Sequence, residues 1–115
     1  MKINRFEEII AWKKAKILTS KLYLIFKENR DFGFRDQICR ASVSVMNNIA
    51  EGFERNSDKE FKHYLFIAKG SSAEVRSMLY LAYELHYIDN ISFNELLESS
   101  TEVSMLLSGL IKTLS

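Results

Sequence analysis

The chain has 115 residues, 47% of them apolar and 27% charged, with a formal net charge of +1. That length suits one domain with a core of its own, and that balance excludes intrinsic disorder. Proline is absent and Cys39 is the single cysteine, which excludes an internal disulfide or a thiolate cluster and favours long uninterrupted helices.

The first helix is expected over about residues 5–27, because Phe6, Ile10, Ile17, Leu18, Leu22, Ile25 and Phe26 recur at helical spacing. Asn29 to Gly33 breaks that pattern, and Gly33 is expected to supply a left-handed turn. A second helix is expected over about 35–52. Ile38, Val45, Ile49 and Phe53 form its apolar line, widened by Val43, Met46 and Ala50. Arg40, Ser44, Asn47, Asn48 and Glu51 share its polar face, and Gly52 stands near its end, where glycine often terminates a helix.

The third helix, about 58–86, opens on Ser57 and Glu60 at capping-box spacing. Phe61, Leu65, Ala68, Ser72, Val75, Leu79 and Ala82 follow in a 4-3-4-3 rhythm that suits a bundle seam. A second line, Tyr64, Ile67, Ser71, Met78, Leu81 and Leu85, predicts a wide buried face. The fourth helix, about 93–114, is expected to start at a second capping box, Ser92 with Glu95. Leu96, Val103, Leu107, Leu110 and Leu114 carry its apolar face, helped by Leu106 and Ile111. Short connections between four such helices predict one all-α domain over 1–115, an antiparallel up-and-down four-helix bundle.

No stretch approaches the roughly 20 apolar residues of a membrane span. Lys2, Arg5, Glu7 and Glu8 precede any apolar run, so no signal peptide is expected and a cytoplasmic location is. Charge is uneven. Residues 1–30 hold eight Lys/Arg against three Glu, whereas residues 87–115 hold Lys112 against Asp89, Glu95, Glu98 and Glu102. Either the first and last helices pair their faces, or the first helix meets an anionic partner.

Catalytic chemistry is thinly represented. Bundle di-iron sites need two Glu-x-x-His motifs, and only Glu60 to His63 fits, with Glu60 better explained as a cap. Cys39 has no nucleophile motif and reads as a buried structural thiol; no phosphate loop links the scattered glycines, and no cofactor is expected. Glu74 is either buried against a donor such as Arg40 or solvated at the seam's edge. Gly70, Ser71 and Ser72 form a small-residue patch that would admit a neighbouring helix. The tyrosines, Tyr23 and Tyr80 among them, can stack on unpaired bases or pack in a core or interface. Trp12, Leu24 and Tyr80 are leftover apolar positions suited to an oligomer contact.

The run from Gln37 through Cys39, Arg40, Asn47-Asn48-Ile49-Ala50-Glu51-Gly52 to Phe53 resembles the signature of the bacterial four helix bundle proteins. That family includes the 23S rRNA intervening-sequence proteins and relatives of the accessory variability determinant of diversity-generating retroelements. The resemblance continues through Arg55, Ser57, Glu60-Phe61, Tyr64-Leu65, Ile67-Ala68, Gly70-Ser71 and Glu74, and upstream from Phe6 to Ala15. It implies a bundle that assembles into a ring, commonly a homopentamer, with an RNA or nucleoprotein role, and it does not imply an enzyme. The family often has Pro where this chain has Met46, and a basic residue where it has Cys39.

Three functions follow as expectations. The first is a non-enzymatic, oligomeric RNA-binding or ribonucleoprotein accessory protein, with Lys13, Lys14, Lys16, Lys21, Arg40 and Arg55 on a shared surface. The second is a protein–protein scaffold ring without nucleic acid. The third and weakest is a metal or hydrolytic enzyme. Arg40, Asn48, Glu51, Arg55 and Glu74 are expected to form a family polar cluster, functional or register-fixing.

Overall fold

The computed structural model describes residues 2–114. A single 3-10 turn, Phe6–Glu8, leads into four helices: α1 (Ile10–Ile25), α2 (Phe32–Phe53), α3 (Asp58–Glu84) and α4 (Asn90–Thr113). Each helix packs on the next and α4 closes back onto α1, while the backbones of the diagonal pairs α1–α3 and α2–α4 stay apart. This is the all-α, up-and-down four-helix bundle, 43 × 22 × 19 Å in extent.

Local chemistry sets the helix ends, in places differently from the sequence expectation. Ile9 is extended and buried, so it separates the 3-10 turn from α1, and one helix from residue 5 does not form. Phe6 meanwhile packs edge-on against Trp12 with ring centroids 5.2 Å apart. Asp31 caps α2 by accepting from the Phe34 N–H at 3.2 Å, so the helix starts at Phe32 and takes in Gly33. The left-handed residue is instead His86, with φ 62°, just after α3. The Tyr87 N–H bonds the Ala82 carbonyl and the His86 N–H the Tyr83 carbonyl, a Schellman motif with histidine where glycine is usual. At α4, the Asp89 carboxylate takes the Ser92 N–H at 2.7 Å, so Ser92 lies inside the first turn and is not the cap. Ser57 caps α3 as its spacing predicts. The Tyr87 hydroxyl donates to Asp31 at 2.7 Å and ties the two loops at that end together; this bond holds the Asp31 carboxyl below the usual range.

The core has two apolar clusters, one around Leu22, Phe26, Ile38, Leu79 and Leu96, the other around Ile49, Leu65, Val103 and Leu107. Between them lies a waist of buried hydroxyl residues, Thr19, Ser42, Ser72 and Ser100, one from each helix. The Thr19 hydroxyl bonds the Ala15 carbonyl at 2.8 Å and the Ser42 carbonyl at 3.2 Å, and the Ser42 hydroxyl bonds the Cys39 carbonyl at 2.8 Å. A void beside them is too narrow for water.

The α3 seam from Phe61 to Ala82 is buried throughout, as its rhythm predicts. The second α3 line is not: Met78 is buried, but Ile67, Leu81 and Leu85 are exposed. On α1 the buried stripe is Ala11, Ala15, Leu18, Thr19 and Leu22, whereas Ile10, Ile17 and Ile25 face outward. Small alanines let α1 settle close to its neighbours, and the isoleucine stripe is left outside.

Gly52 is buried inside α2 rather than ending it, and a Cβ there would stand 2.5 Å from the Tyr64 Cβ. Gly70, by contrast, has open space around it. Gly52→Ala is therefore expected to destabilise by about 1–3 kcal/mol despite alanine's helix propensity. Gly70→Ala should stabilise by about 0.5–1 kcal/mol. Urea unfolding of both variants checks the contrast.

Candidate functional site

Three surfaces hold the polar residues singled out by sequence. The first is the outer face of α1. Lys13, Ile17, Ser20 and Leu24 run along its ridge at helical spacing, with Lys16 on one flank and Lys21 on the other. Ile10, Ile17 and Leu24 are 56%, 53% and 73% exposed among these lysines. Lys14 turns toward α4 and pairs with Glu102 at 3.7 Å, so part of the charge asymmetry is spent between the first and last helices. The Lys16 ammonium lies 5.7 Å from the Trp12 ring centroid. Among the described residues Lys13, Lys16 and Lys21 have no carboxylate within ion-pair distance.

The second surface is the α2–α3 groove, about 630 Å³, lined by residues that include Asp36, Gln37, Arg40, Ser44, Ser71 and Glu74. Glu74 is exposed and accepts from the Gln37 amide at 3.2 Å; it makes no ion pair with Arg40. Asn48 donates to the Ser44 carbonyl at 2.8 Å, and Ser44 bonds Ser71 across the helix pair at 2.9 Å. Farther along, Arg55 donates to the Tyr64 hydroxyl, stacks over that ring at 5.0 Å and pairs with Glu51 at 3.8 Å and Glu60 at 3.9 Å. The five-residue polar set thus lies along one side of the bundle, over roughly 20 Å of α2 from Arg40 to its end, with Arg55 just beyond. Glu51 and Arg55 meet; Asn48, Arg40 and Glu74 stand apart from them. Arg55 is already engaged by two carboxylates, which leaves it poorly placed to meet a phosphate.

The third surface, missed by sequence reasoning, is a cleft of about 440 Å³ between α1 and α2, lined by Tyr23, Lys27, Arg35, Asp36, Cys39, Arg40 and Val43. Arg35 bonds Asp36 at 3.4 Å and stacks over Phe32 at 4.7 Å. Cys39 is nearly buried, and desolvation pushes its thiol pKa up against the opposing pull of Arg35. It is therefore a protonated thiol at neutral pH and a poor nucleophile. The cleft joins residues 23–27 to residues 35–43, and no local motif marks that juxtaposition.

The sequence profile of the 23S rRNA-intervening sequence proteins matches residues 7–109. The chain belongs to that family. No curated protein matches it. Among solved structures it is similar to a protein of unknown function from the S23 ribosomal protein family of Bacteroides thetaiotaomicron VPI-5482. The two are 25% identical, with a TM-score of 0.83, over 90% of this chain and 96% of the other. The family match covers α1 to α3, most of α4 and both flanks of the α1–α2 cleft. No described helix is long and apolar enough to cross a membrane.

Because Glu74 is solvated and holds one hydrogen bond, Glu74→Gln is expected to cost no more than about 0.5 kcal/mol. Thermal unfolding measures this, and a loss of several kcal/mol would mean that the carboxylate is held far more tightly than the bundle shows.

Proposed function

We propose that this chain is a non-enzymatic RNA-binding or ribonucleoprotein accessory protein that works as a homo-oligomer, with the outer face of α1 contacting phosphate. The observation that carries the reading is the set Lys13, Lys16 and Lys21, unpaired among the described residues on a chain whose net charge is only +1. Positive charge is concentrated on one helix, and of its four lysines only Lys14 is paired with a carboxylate among the described residues, the arrangement that draws a polyanion. Membership of a family named for an rRNA intervening sequence favours RNA as that polyanion. Oligomerisation would repeat a modest patch and raise avidity.

A second reading, a protein–protein scaffold, is favoured by the exposed apolar side chains Leu24, Ile91 and Met105, 73%, 69% and 69% exposed. Such residues suit a contact between copies or with another protein. The homo-oligomer in the first reading would use Ile91 and Met105 on α4 and leave the α1 ridge that carries Leu24 to phosphate, so the two differ in whether RNA binds.

Binding to structured 23S-type RNA across a salt series decides between them, with oligomeric mass measured alongside. The RNA reading predicts affinity that falls steeply with salt as counterions are released. Replacing Lys13, Lys16 and Lys21 by Gln should flatten the log–log slope by about two to three. Absent binding at low salt, or salt-independent binding, would overturn the RNA reading in favour of the scaffold.

A further inference from the structure

The α1–α2 cleft has a composition that the lysine face lacks. It offers three cationic side chains, Lys27, Arg35 and Arg40, against one carboxylate, Asp36, and that carboxylate is bonded to Arg35. Lys27 and Arg40 have no acidic partner among the described residues. The Tyr23 ring forms one wall and is half exposed, while Cys39 and Val43 supply an apolar floor. A volume of about 440 Å³ lies in the range of small-ligand sites.

Arg40 stands on the ridge between this cleft and the α2–α3 groove and lines both. The groove sets Asp36 and Glu74 beside Arg40 as its lone cation, so an anion drawn to Arg40 is favoured on the cleft side. An aromatic wall beside a pair of free cations matches the two halves of a nucleotide. The base stacks on the ring and the phosphate meets the charges.

We propose that the α1–α2 cleft binds one unpaired nucleotide, its base stacked on Tyr23 and its phosphate held by Lys27 and Arg40. A paired base inside a duplex cannot reach such a cleft, so the RNA chemistry it fits is a single-stranded loop or end. The inference rests on the RNA reading for the source of the nucleotide, although a free mononucleotide presents the same chemistry. Cys39, kept protonated by burial, adds no negative charge beside the phosphate. The lysine face then gives sequence-independent attraction, and the cleft reads whether a base is free.

The test is an amide-shift NMR titration of the full chain with uridine 5′-monophosphate, inorganic phosphate and a five-nucleotide single-stranded RNA. The nucleotide and the RNA should shift the same amides around Tyr23, Lys27 and Arg40. Tyr23→Leu should weaken both by about tenfold while leaving phosphate binding unchanged, as expected for the loss of one stacked base. Arg40→Gln should weaken all three. Both side chains lie at the surface, and unchanged melting temperatures would verify that the variants fold. RNA binding that depends on Lys13, Lys16 and Lys21 while the cleft amides stay still would overturn the pocket and leave the RNA reading standing. Mononucleotide in the cleft without RNA binding would support the pocket and overturn the RNA reading. Phosphate binding indifferent to Tyr23→Leu, with no added affinity for the nucleotide, would overturn the pocket as a nucleotide site.

Discussion

The packing of this bundle depends on its waist, where each helix contributes one small hydroxyl residue to the interior. Thr19, Ser42, Ser72 and Ser100 let the helix axes draw together where larger side chains would hold them apart. Their polarity costs little for Thr19 and Ser42, whose hydroxyls bond carbonyls three or four residues back on their own helices. The Thr19 hydroxyl also reaches the Ser42 carbonyl and so fixes the register of α1 on α2. The Ser100 hydroxyl has no partner among the described residues, but the Ser72 hydroxyl donates to the Ser100 carbonyl at 3.5 Å and ties α3 to α4. Above and below the waist the two apolar clusters close over one stripe of each helix.

This closed interior determines where binding chemistry can sit. The void beside the waist does not admit water, so a nucleotide or a protein segment must use the outer grooves and faces. The α2–α3 side is largely self-satisfied: Gln37 with Glu74, Ser44 with Ser71 and Asn48, Arg55 with Glu51, Glu60 and Tyr64. Those bonds fix how α2 and α3 lie against each other, and they leave few groups free for a partner. The α1 side differs. Its outer lysines Lys13, Lys16 and Lys21 lack carboxylate partners among the described residues, and the adjoining cleft brings Lys27 and Arg40 beside an exposed tyrosine ring. Exposed apolar residues also stand on α1, α3 and α4.

Much of this fold was legible because its signals are local. The α3 seam and the Ser57 cap depend on residues within a turn or two of each other, and both are as the spacing predicts. The α1 face was misread because two apolar stripes share that helix. Periodicity identifies both, but only the neighbouring helices decide that Ala11, Ala15, Leu18 and Leu22 go inside and Ile10, Ile17 and Ile25 do not. Ser92 is spaced to cap the Glu95 N–H, yet Asp89, three residues earlier, takes the Ser92 N–H with a charged oxygen and starts the helix a turn sooner. The lysines of α1 were legible as a charge excess. Their division into Lys14, paired with Glu102, and the free Lys13, Lys16 and Lys21 required the tertiary fold. The cleft was invisible in sequence, since Tyr23 and Lys27 belong to one helical hairpin arm and Arg35 and Arg40 to the other.

The central claim is that the bundle meets its partner through α1 and not through the bonded α2–α3 side. Lysine acetylation of the intact protein, quantified residue by residue with and without structured 23S-type RNA, tests it most directly. The account predicts that RNA shields Lys13, Lys16, Lys21 and Lys27 while Lys59 and Lys112, also exposed, react as before. Shielding of Lys59 and Lys112 with the α1 lysines still reactive would contradict it.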